Sequence, residues 1–86
     1  MPEDERLRAA ILETLKQVAP EADTAALDPN KSFRDQVGLD LIDFLNFVVG
    51  LEERFELRII ETDYPQLSSL QGCLDYIAAH RTPASS

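Results

Sequence analysis

The sequence predicts an all-α fold, an antiparallel four-helix bundle with a long first loop and a short third helix. Three observations point there. Apolar residues recur at helical spacing in three stretches, proline and capping residues punctuate those stretches, and no segment alternates apolar with polar residues as a half-buried strand would.

The first helix runs from Pro2 to Val18. Leu7, Ile11, Leu15 and Val18, with Ala10 beside them, form one stripe, and acids crowd the first turn where the helix dipole favours them. Ala19-Pro20 ends it, because proline lacks the next backbone donor and pushes its predecessor out of helical geometry. Glu21 to Leu39 then reads as a polar connection with turn signals at Asp28-Pro29-Asn30 and Gly38. A loop this long needs anchors, and Leu27, Phe33 and Val37 are the residues to pin it to the core.

Asp40 reads as the N-cap of a second helix, with Asp43 three residues on, and the helical pattern continues to Phe55. Leu45, Phe47, Leu51 and Phe55 supply core positions, with either Val48 or Val49. Leu41, Ile42 and Phe44 make the helix apolar on more than one side, as a central helix or one with a stripe for a partner would be. Gly50 inside it costs about 1 kcal/mol relative to alanine, which a close helix–helix approach would explain. Leu57-Arg58-Ile59-Ile60 is a brief connector. Pro65 limits Glu61–Leu67 to a short helical turn, and Ser68 with Gln71 forms a capping box for the last helix, in which Leu70, Leu74, Ile77 and Ala78 keep the period as far as His80.

At 86 residues the chain holds one domain, expected over 1–82 with a fraying tail at 83–86. Such a chain buries only about 60 to 65 % of its unfolded surface, and 44 % apolar residues suffice for one small core. The balance of 8 basic against 16 acidic residues, a net charge of −8, repels polyanions, so nucleic acid and anionic membranes are excluded as partners. The single cysteine, Cys73, and single histidine, His80, supply neither an internal disulfide nor a His/Cys metal cluster. The acidic start Met1-Pro2-Glu3-Asp4-Glu5 is unlike a signal or transit peptide, and no apolar run approaches the ~20 residues of a membrane span. A cytoplasmic monomer is expected.

Candidate chemistry is sparse. Asp28, Asn30 and Ser32 match the first three ligand positions of an EF-hand loop, but Phe33 stands where glycine is needed and Leu39 where a bidentate glutamate belongs. The lone imidazole lies at the end of the last helix, suited to the dipole there, and Cys73 lies close to the Leu70/Leu74/Ile77 stripe as a small core residue. No nucleophile has a base nearby, so an enzyme is not expected.

The window from Phe33 to Ile77 is more specific. It reads Phe33-Arg34-Asp35-Gln36-Val37-Gly38-Leu39-Asp40-Leu41-Ile42-Asp43-Phe44, then Leu51-Glu52-Glu53-Arg54-Phe55, then Leu74-Asp75-Tyr76-Ile77. In these blocks, held in register, the chain resembles the acyl carrier protein family. The resemblance implies a discrete carrier of acyl or biosynthetic intermediates, held as thioesters on a phosphopantetheine arm, in fatty acid or polyketide biosynthesis. It also implies that the residue after Asp40 is the serine that receives the arm. Here that residue is Leu41, which has no hydroxyl and cannot form the phosphodiester. A second departure is Ile60, where the family connector has proline. Leu41 fits a carrier in which an introduced change blocks loading, and equally a natural, degenerate carrier acting as a protein–protein interaction module. A non-carrier scaffold and a binder of free apolar ligands are rivals from other classes.

Between Asp35 and Asp63 stand eight acids and two bases, a local balance of −6. The resemblance makes Asp40, Asp43, Glu52, Glu53, Glu61 and Asp63 an anionic face for basic patches on acyltransferases, synthases and the phosphopantetheinyl transferase. Leu39, Ile42 and Val48 would supply apolar contacts beside it, with Leu41 adding to them.

Overall fold

The computed structural model describes residues 3–80, with side chains from Glu5 onward. The helices are α1 (Glu3–Val18), α2 (Phe33–Val37), α3 (Leu41–Phe55) and α4 (Leu70–His80), with 3₁₀ turns at Thr24–Ala26 and Glu61–Leu67. No strand occurs among the described residues; one isolated bridge joins Ser32 to Ser69. The all-helical fold matches the expectation, with α2 as an addition inside the long first connection. The expected boundary at 82 and the tail at 83–86 lie outside the described residues.

Helix α1 packs on both α3 and α4, and the Glu61–Leu67 turn packs on α4. Leu7, Ile11 and Leu15 of α1 meet Phe47, Val48 and Leu51 of α3 and Leu70, Cys73, Tyr76 and Ile77 of α4 in one core. Phe33 and Phe47 sit edge to face at its centre, with ring centroids 5.3 Å apart. The α1–α3 approach is close at Gly50, where a Cβ would stand 2.7 Å from the Thr14 methyl. Thr14 is buried, and its hydroxyl is satisfied by donating to the Ala10 carbonyl at 2.8 Å.

The first connection is anchored as expected: Leu27 and Phe33 are buried and Val37 packs against the core. Backbone and side-chain bonds hold it as well. The Phe33 N–H donates to the Ser68 carbonyl at 2.7 Å and the Gln71 N–H to the Pro29 carbonyl at 2.8 Å, stitching the loop to the start of α4. The Gln36 carboxamide accepts from the Asp28 N–H and donates to the Asp28 and Lys31 carbonyls, closing the turn from within. Ser32 caps α2 by accepting from the Asp35 N–H, and Gly38, at φ 67°, ends it in the left-handed region that glycine enters without strain.

Two local expectations are corrected. The cap of α4 is Ser69, whose Oγ accepts from the Gly72 N–H at 3.0 Å; Ser68 instead closes the preceding 3₁₀ turn. Leu45 is half-buried and outside the core cluster, because the inward face of α3 is set by Phe44, Phe47, Val48, Leu51 and Phe55. Cys73 is fully buried, its thiol directed at the Leu67 carbonyl and held well above the usual thiol range by burial.

Candidate functional site

The start of α3 is built by three consecutive residues with different tasks. Gly38 turns the chain out of α2, and Leu39, only 5 % exposed, fixes the entry point in the core. Asp40 takes an extended conformation, and its Oδ1 accepts from the Asp43 N–H at 2.8 Å. This satisfies one of the donors that every helix start leaves open and places a carboxylate at the positive end of the helix dipole.

Leu41 is therefore the first residue of a firmly capped helix, and its side chain points outward, 69 % exposed. Ile42 beside it is 66 % exposed. Leu45 and Val49 continue from Leu41 at four-residue intervals, so they lie on the same side of the helix, and Val49 is 48 % exposed. Farther along this side the residues turn acidic: Glu52, Glu53 and Glu56, followed in the chain by exposed Ile60 and Glu61. The outer side of α3 is thus apolar in its first half and anionic in its second.

The residues expected to meet partners divide on this geometry. Ile42, Glu53 and Glu61 are exposed. Leu39 and Val48 are not surface residues, which corrects the expectation: both lie in the core, Val48 with no exposure at all. Of the two adjacent valines, Val48 turns inward toward the Phe47 and Leu51 side and Val49 is left outside.

Asp43 is half-buried, lining a shallow groove with Val18, Ala19, Gln36 and Val37. Glu52 is half-buried too, and its Oε2 accepts from the Ile59 N–H at 2.9 Å, fastening the connector after α3. Asp63 is committed as well. Its Oδ2 accepts from the Tyr76 hydroxyl at 2.8 Å and its Oδ1 from the Gln66 side-chain amide at 3.3 Å, tying the 3₁₀ turn to α4. Burial, then the hydrogen bond to Asp63, with the negative charges of Asp63 and Glu52 adding, push the Tyr76 phenol up to about 12.

Sequence reasoning missed Val49, Ile60 and Glu56 as members of the outer face. Glu56 closes α3 in the left-handed region, at φ 54°, its N–H donating to the Glu52 carbonyl. The four-residue spacing from Leu41 was a usable signal for Val49; nothing local marked Glu56. Arg54, the base between these acids, is turned away from them, bonded to Glu13 of α1 at 2.6 Å.

No helix of the described residues is long and apolar enough to cross a membrane, and among those residues no group of three or more His, Cys, Asp or Glu side chains is placed to hold a metal ion. Residues 5–77 match the family model described as the phosphopantetheine attachment site. Phosphopantetheine is accordingly the group expected in this family. Leu41, at the capped start of α3, is hydrocarbon and has no oxygen from which a phosphodiester could be formed.

Proposed function

We propose that this chain, which belongs to the phosphopantetheine attachment-site family, is a discrete acyl carrier-type protein that keeps the docking face of a carrier and is not loaded. Carrier domains work by meeting partner enzymes, and the reading assigns that role here to the outer side of α3. Leu41 replaces the hydroxyl, so no arm is joined at that position and no thioester cargo is held. The protein performs no catalysis of its own; it acts as an interaction module, in the cytoplasm, as a monomer.

One observation supports this reading above the rest. Leu41 stands at the first position of a capped helix with its side chain largely in solvent, the placement a residue would need to be reached by an enzyme. A leucine in the core would have pointed to a packing role instead. Ile42 adjoins it, Glu53, Glu56 and Glu61 continue the contact set toward the far end of the helix, and exposed Asp40 with half-buried Glu52 and Asp63 completes the face.

The test is loading. The unaltered chain and Leu41→Ser are each incubated with a broad-specificity phosphopantetheinyl transferase and coenzyme A, and intact masses are compared. A mass gain confined to Leu41→Ser is expected. Gain in the unaltered chain would show that another hydroxyl serves, and gain in neither would favour a scaffold outside the carrier class.

A further inference from the structure

The outer side of α3 carries more than a missing hydroxyl. Leu41 and Ile42 expose adjoining branched side chains, Val49 extends the apolar surface by two turns, and Glu53 and Glu56 continue it as bare carboxylates. Two large aliphatic side chains at the very start of a helix, each about two-thirds exposed, contribute little to the fold. Their chemistry suits insertion into an apolar hollow.

The neighbouring acids choose the occupant. Of the two bases nearby, Arg54 is bonded to Glu13 and Arg58 lines a recess with Glu52, Glu53 and Ile60, so a single cation stands against several carboxylates and the face stays anionic. A second copy of a chain with net charge −8 supplies few cations, and an anionic bilayer is repelled. A protein surface with an apolar hollow edged by lysine or arginine complements both halves at once.

Resting on the carrier reading above, we infer that Leu41 is an apolar anchor, and that through it the chain occupies a phosphopantetheine-transferring enzyme without being modified, competing with loadable carriers. An enzyme that joins an arm to the residue after Asp40 must cover this end of α3. In the unaltered chain the same approach meets hydrocarbon: the complex forms, no bond is made, and the enzyme is held. Leucine at this position acts in place of the attachment residue, beyond merely lacking it.

The experiment uses the Leu41→Ser variant as substrate and the unaltered chain as competitor, with a phosphopantetheinyl transferase and coenzyme A, loading being followed by mass. Competitive inhibition is expected, with an inhibition constant at or below the KM of the serine variant. Leu41→Ala and Ile42→Ala should each weaken inhibition about tenfold, as truncation of a central apolar anchor does. Glu53→Lys with Glu56→Lys should weaken it further and flatten its salt dependence.

If Leu41→Ser is loaded but the unaltered chain does not compete, the carrier reading stands and the anchor falls. If Leu41→Ser is not loaded, the carrier reading falls, and direct calorimetric binding of the chains to the enzyme decides the anchor: binding no tighter than that of Leu41→Ala overturns it. Sedimentation showing a dimer that Leu41→Ala abolishes would assign the face to a second copy and likewise overturn the inference. All the substituted side chains are exposed, and circular dichroism checks that each variant folds.

Discussion

Alanine at Gly72 and at Gly50 separates two kinds of close contact. Both residues lie inside helices, where alanine is intrinsically favoured over glycine by about 1 kcal/mol. At Gly72 an added Cβ would stand 2.1 Å from the Gln66 carbonyl oxygen, and real Cβ atoms essentially never come closer than 3.0 Å, so backbone must retreat by at least 0.9 Å. The group displaced belongs to the 3₁₀ turn beside fully buried Leu67, whose own carbonyl faces the Cys73 thiol. Opening that seam costs more than the propensity gain, for a net loss of about 2 to 3 kcal/mol. For a domain of this size the melting temperature falls by roughly 10 to 20 °C.

At Gly50 the obstacle is the Thr14 methyl at 2.7 Å, a shortfall of only 0.3 Å against one side chain. Gly50→Ala should therefore be near neutral or lose about 1 kcal/mol. Thr14→Ser deletes the methyl while keeping the hydroxyl that donates to Ala10. In that background Gly50→Ala should become stabilising, giving a coupling of about 1 kcal/mol or more in a double-mutant cycle. Thermal and urea unfolding followed at 222 nm measure all of this. A Gly72→Ala chain as stable as the parent, or strictly additive Gly50 and Thr14 substitutions, would refute the packing geometry.

Other consequences are equally direct. Tyr76→Phe leaves half-buried Asp63 without its hydroxyl donor and should cost about 1 kcal/mol in urea unfolding. Because the folded Tyr76 pKa is raised from the ordinary 10.0 to about 12, its contribution is complete below pH 10 and is lost as pH climbs toward 12. The gap between the urea midpoints of the parent and Tyr76→Phe should narrow across that interval. Cys73, buried and with its pKa raised, should react with a thiol reagent only at the rate at which the chain opens; rapid reaction in native buffer would contradict its placement. Glu52→Ala should accelerate hydrogen exchange at the Ile59 amide, whereas Glu52→Gln, which still offers an oxygen, should largely preserve protection.

The long elements were legible because their signals are local and repeated. The Leu7/Ile11/Leu15 stripe, the Asp40 cap and Pro65 in the short turn each act within a few residues, and each stands where the pattern placed it. Helix α2 was not legible: five residues give too short a period to detect, and their helix is stabilised by Phe33 against Phe47 and by Gln36 folding back onto the loop. The slip between Ser68 and Ser69 has a similar origin, since adjacent serines offer the same capping atom and only the bond from Phe33 to the Ser68 carbonyl separates them. At the site, an acid reads the same in sequence whether it faces solvent or is occupied. That Glu52 serves Ile59 and that Asp63 serves Tyr76 follows from contacts seven and thirteen residues distant.

The position after Asp40 is unusual in that the fold determines where it stands without depending on what stands there. Leu39 in the core, the Asp40 carboxylate on the Asp43 N–H and the Gly38 turn fix the backbone of residue 41. Its side chain meets mostly water. Exchange of serine and leucine at such a place alters chemistry at the surface and leaves packing nearly untouched, within about 0.5 kcal/mol for an exposed site free of special contacts. Acceptance of a covalent arm and recognition of the surrounding face are therefore separable properties of this helix. On the proposed reading, leucine at this position removes the first and leaves every structural support for the second, and its side chain enlarges the apolar surface through which the second would act.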